Sequence, residues 1–169
     1  MINSYAPDGK TPADFKGLIN VQPDGSVEGV DVPFPVGTFS YTFRTSNATV
    51  TQAYQDGIEN LLETPINASS FFGRPAGEVR FMGASGRQVF GRNYDFSITF
   101  RFKRRKNKTG IAIGDMTGIT KDGWDYLWQH PGRKDNPATK QFEMVPKSVY
   151  VNRVMQRGDF SVLGPWVAA

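Results

Sequence analysis

Tyr94-Asp95-Phe96-Ser97-Ile98-Thr99-Phe100-Arg101-Phe102 is the stretch that decides the fold class. Tyr94, Phe96, Ile98, Phe100 and Phe102 hold every second position, with Asp95, Ser97, Thr99 and Arg101 between them. A period of two places the apolar set on one face of a pleated strand and the polar set on the other. One face of a sheet is therefore built largely of aromatic rings. Upstream, Phe39, Tyr41 and Phe43 alternate with Ser40, Thr42 and Arg44 and predict a second half-buried strand. Val30, Val32, Phe34 and Val36 alternate as well, but Pro33 and Pro35 lack the N–H that a ladder needs, so this segment is an edge strand or an extended loop. Glu78–Met82 predicts a further strand. Gly83-Ala84-Ser85-Gly86 predicts the hairpin turn joining it to 88–102.

One helix interrupts the strands. Val50, Tyr54, Ile58, Leu61 and Leu62 share a face over residues 48–63, Ser46, Asn47 or Thr49 can cap its start, and Thr64-Pro65 stops it. Gly57 in its middle costs about 1 kcal/mol relative to Ala. Downstream, Ile111–Ile113 and Met116–Ile119 predict short extended pieces, and Asp122–Trp128 a short helical turn with three aromatics. Residues 129–140, polar with Pro131, Gly132 and Pro137, predict a flexible loop. Phe142–Val145 and Ser148–Met155 predict a final pair of strands around Pro146. The expected fold is β-rich α+β: antiparallel sheets with a sandwich-like core and one amphipathic helix packed on it. The 169 residues suit a single domain over 27–169, preceded by an extended arm at 1–26 with the turn sequences Pro7-Asp8-Gly9 and Pro23-Asp24-Gly25.

Composition narrows the chemistry. With no Cys, the chain has no disulfide, thiolate metal site or cysteine nucleophile. The single His, His130, lies in the polar 129–140 stretch and reads as solvated surface rather than as a base. Asp122 and Asp125 match no calcium-loop spacing and read as turn caps. Gly83–Arg87 lacks both the dinucleotide fingerprint and the phosphate-loop ending. No catalytic residue, cofactor site or metal site is expected. No apolar run reaches bilayer-spanning length and the first residues lack a signal-peptide pattern, so a soluble chain made in the cytosol is expected.

What stands out is surface. Net charge is +4, and Lys103-Arg104-Arg105-Lys106-Asn107-Lys108 concentrates five cations. Such a run contacts nucleic-acid phosphates, meets an acidic subunit, or solvates a hairpin tip. Trp124, Tyr126 and Trp128 either anchor a partner or close a core. Phe160 to Trp166 is an apolar tail. Candidate interaction residues are thus Lys103, Arg104, Arg105, Lys106, Lys108, Trp124, Trp128, Phe160 and Trp166, with the 1–26 arm as a further contact segment.

Two stretches taken together carry a resemblance. Glu78-Val79-Arg80-Phe81-Met82-Gly83-Ala84-Ser85-Gly86 leads into the 94–102 strand; Gly123–Trp128 precedes Pro146–Val154 and Gly158–Gly164. Over roughly residues 48–164 this pattern resembles a family of small structural proteins of tailed bacteriophages, in the neck or tail. The basic run and the first 35 residues lie outside it. The resemblance implies a virion component, assembled in the host bacterial cytoplasm, that works as a ring or lattice of identical copies without a cofactor. Its partners would be copies of itself and portal, adaptor, tail or capsid proteins, with non-specific contact to packaged DNA and none to membrane. Alternative expectations are a capsid decoration protein, a nucleic-acid-binding module using 103–108, and a hydrolase built on an Asp or Glu.

Overall fold

The computed structural model describes residues 2–5, 29–88 and 96–164. Eleven strands and one α-helix follow in chain order: β1 (Ile2–Tyr5), β2 (Val30–Asp31), β3 (Gly37–Thr45), α1 (Gln52–Glu63), β4 (Ile66–Asn67), β5 (Val79–Gln88), β6 (Phe96–Arg104), β7 (Lys108–Ile113), β8 (Met116–Lys121), β9 (Tyr126–Asn136), β10 (Gln141–Asn152) and β11 (Arg157–Gly158). The fold is β-rich α+β, as the alternation requires. By its internal contacts the chain divides into two compact units, one of residues 1–34 and 107–154, the other of 35–106 and 155–169. Each gathers its own apolar cluster.

In the second unit a five-stranded sheet runs β11-β4-β5-β6-β3, antiparallel except for the two-residue β11–β4 pair. The deciding stretch lies at its heart: Ile98, Phe100 and Phe102 are buried, and Phe39, Tyr41 and Phe43 stand opposite Phe102, Phe100 and Ile98. Tyr94 and Asp95 lie outside the described residues. Nine of the chain's 13 Phe belong to this cluster, with Phe102 touching the rings of Phe39, Phe71, Phe81 and Phe160 at centroid distances of 4.9–6.2 Å. Buried Asn67 holds the loop that follows it: its amide donates to Ser69 O and Pro75 O, and its Oδ1 accepts from Val79 N at 2.8 Å.

Helix α1 is capped by Thr51, whose hydroxyl accepts from Tyr54 N at 3.2 Å, not by Ser46, Asn47 or Thr49; Asn47–Thr49 form a separate 3-10 turn. The helix ends before Pro65 as expected. Leu61 is buried but Leu62, one helical step round, is 53% exposed, so the apolar face is narrower than predicted. Gly57 serves a close approach: a Cβ there would lie 2.6 Å from Val162 Cγ2. Tyr54 Oη donates to Leu163 O at 2.9 Å, and burial pushes the phenol up to about 12.

Gly83–Gly86 is not a turn. It lies within β5, where Met82 and Gly83, between Phe81 and Ala84, face only Arg101, between Phe102 and Phe100, a β-bulge carried by Gly83 at φ 110°. Residues 89–95, where β5 and β6 are joined, lie outside the described set.

In the first unit a four-stranded antiparallel sheet runs β1-β10-β9-β2. Leu127, Val149 and Val151 cluster with Met116 and Ile119 of the β7–β8 hairpin, giving this unit its sandwich-like core. Of the expected 1–26 arm, residues 2–5 pair with β10 as an edge strand and the remainder lies outside the described residues. Val30 and Asp31 form the short edge strand foreseen between the prolines and the arm. Residues 122–125 make a turn, but the following aromatics enter β9 instead of a helical turn.

Candidate interaction surfaces

The stretch read as a flexible loop, 129–140, is most of β9 and its turn. Phe142–Val145 and Ser148–Asn152 are one strand, β10, not a pair. These are the longest strands among the described residues, at 11 and 12 residues. Two features of the sequence hid them. Pro131 and Pro146 face each other across the ladder, and one extra residue between Pro146 and Ser148 shifts the register. The turn is chemically explicit: Asn136 Oδ1 accepts from Ala138 N and Thr139 N, and Lys140 closes it at φ 56°.

The proline pair divides the hairpin. Inside it, Trp128 and Tyr150 stack at 4.3 Å, Trp128 Nε1 donates to Asn152 Oδ1 at 3.1 Å, and His130 meets both rings edge-on. His130 is therefore buried, not solvated surface, because the position lies within a strand. Outside it, β9 and β10 continue as a two-stranded ribbon whose outer edges pair with no strand among the described residues. Phe142 opposes Asp135 and Met144 opposes Arg133, so both apolar chains lie on one face. They are 70% and 67% exposed, the most exposed large apolar side chains among the described residues. Arg133 rests its guanidinium 5.6 Å from the Phe142 ring centroid.

The candidates read from sequence divide differently. Trp124 and Trp128 are buried, and Phe160 is a core residue against Phe71 and Phe81, so none of the three presents a surface. Their aromatic character signalled packing instead. Trp166 lies outside the described residues. The basic run is not a loop: Lys103 and Arg104 end β6, Lys108 begins β7, and only 105–107 lie between. Arg104 is committed to buried Glu78, donating through Nε and Nη2 at 2.8 and 2.6 Å, while Arg105 N donates to Glu78 O. Lys106 and Lys108 are exposed.

A second surface lies between α1 and the sheet. A groove of about 430 Å³ is lined by Tyr54, Ile58 and Leu62 on the helix, by Val50 just before it, and by Phe81 and Ile98 on the strands. Glu59 stands at its side. Periodicity marked the helix face but not the opening, where a Cβ at Gly83 would meet nothing within 4 Å and the Phe96 ring lies over Gly86.

Titratable groups are held for structural reasons. Asp125 is raised, chiefly by burial and then by the Asp122 carboxylate, with Arg153 opposing through ion pairs to both. Asp159 is lowered by the Ser161 hydroxyl and N–H that it accepts from as the cap of a 3-10 turn. Among the described residues no three His, Asp or Glu side chains gather to hold a metal, and no helix is long and apolar enough to cross a membrane. No family model, curated protein or solved structure matches the chain.

Proposed function

We propose that this chain is a non-enzymatic, homo-oligomeric structural component of a tailed-bacteriophage virion, in the neck at the head–tail connection or in the tail. It works by protein–protein assembly with copies of itself and adjacent virion proteins. The observation that carries the assembly part is the ribbon: two edges that pair with no strand among the described residues, and two large exposed apolar side chains on one face. A two-stranded ribbon is at best marginally stable in water by itself, and apolar side chains grouped on a surface mark contacts. The phage part draws on the resemblance over residues 48–164.

The test is the mass of the purified chain in solution, with electron microscopy of the particles. A defined oligomer with rotational symmetry is expected. A lone monomer that binds no virion protein overturns the proposal. Many copies spread over a capsid, in place of a single ring, would move it to the decoration reading. DNA affinity that falls steeply with salt and disappears on neutralising Lys103, Lys106 and Lys108 would move it to the nucleic-acid reading.

A further inference from the structure

The ribbon and the groove complement each other. The ribbon, residues 131–147, carries Arg133, Lys134, Lys140 and Lys147 against Asp135 and Glu143. Helix α1 carries Asp56, Glu59 and Glu63 and has no cation. The nearby cations Arg87 and Arg101 alternate with groove-side Gly86 and with core-facing Phe100 and Phe102, so they belong to the other face of the sheet. One surface offers two apolar side chains with a cation over the outer ring. The other offers an apolar slot with the Glu59 carboxylate at its wall, on a helix that carries no cation.

We infer that the ribbon of one copy seats in the α1–β5–β6 groove of a second copy, Phe142 and Met144 entering the slot beside Leu62 and Ile58, and Arg133 meeting Glu59. The inference rests on the assembly reading and names its contact. Phe142 and Met144 stand about 7 Å apart along one strand, and the groove of about 430 Å³ has room for both. An aromatic anchor with an Arg beside it is the composition that dominates binding energy at interfaces. Because the two surfaces differ, the contact is head-to-tail. Such contacts close into rings when the rotation between copies allows and otherwise run on as filaments.

The experiment uses the full chain and two variants whose changed positions are exposed, Phe142→Asp/Met144→Asp and Leu62→Arg, with circular dichroism to verify folding. In analytical ultracentrifugation the wild type is expected as an oligomer and each variant as a monomer. Mixed in equal amounts, the variants are expected to give a 1:1 dimer and nothing larger, since one intact ribbon then meets one intact groove. Because the chain has no Cys, mixing a Phe142→Cys chain with a Leu62→Cys chain under oxidising conditions is expected to give a cross-linked dimer. Oligomers that persist in either variant, a mixture that stays monomeric while the wild type assembles, or no cross-link would overturn the contact and leave assembly standing. A monomeric wild type overturns both.

Discussion

The inner and outer halves of the β9–β10 hairpin share two strands and one ladder, yet they are opposite in character. From Tyr126 to His130 and from Ser148 to Asn152 the side chains are largely buried, and each strand has a further neighbour, β2 or β1. Beyond Pro131 and Pro146 neither strand has a further neighbour among the described residues, and most of the side chains face water. The ladder is common to both halves, so backbone hydrogen bonding does not distinguish them. Burial does: it assigns the inner half to stability, and the exposure of the outer half is what the proposed contact draws on.

The largest expected effect breaks the inner half. Trp128→Ala removes a fully buried indole and its hydrogen bond to Asn152, and is expected to cost about 3–5 kcal/mol in urea denaturation. Phe142→Ala, at 70% exposure, is expected to change monomer stability by no more than about 0.5 kcal/mol. Equal effects would erase the distinction. Ion pairs sharpen it at a smaller scale. Glu78→Gln leaves Arg104, one-third exposed, without its counter-charge, and is expected to cost about 2 kcal/mol, between the values for surface and buried pairs. Asp115→Asn breaks the exposed Lys134–Asp115 pair at the ribbon and is expected to cost under about 0.5 kcal/mol.

The smallest effect is a pH dependence. Asp125 holds its proton more tightly folded than unfolded, so its contribution favours the folded state in acid and is lost as pH rises from the unfolded toward the raised folded value. Asp125→Asn is therefore expected to match the parent in acid and to exceed it slightly in stability at neutral pH, the gain growing as pH rises through the raised folded value. A gain confined to acid would contradict the assignment.

The aromatic strands were legible because they have one wet face and one dry one. Phe96 to Phe102 and Phe39 to Phe43 alternate for that reason. The helix was legible for the same reason, apart from Leu62. The ribbon was not, because both its faces meet solvent and neither selects an apolar side chain at every second position. Proline also argued against a strand there, correctly for the ladder at residues 131 and 146 and wrongly for the strand as a whole. The proposed contact surface therefore lies in the segment read as a flexible loop, while Trp124, Trp128 and Phe160, read as candidate contacts, are buried. The split into two units was illegible for another reason: period reveals which face of a strand is dry, not which other dry face it meets.

The facing prolines have one more consequence. Neither contributes an amide, and the register shifts beside them, so the hairpin is interrupted at one level on both strands. The amides of residues 133–136 and 141–145 are expected to exchange with deuterium early, while those of 126–130 and 148–152 wait for global opening. Trypsin, cutting after Arg133, Lys134 or Lys140, would trim the tip and leave the sheet beneath it whole. The interruption allows the outer half to melt and re-form without the inner half following.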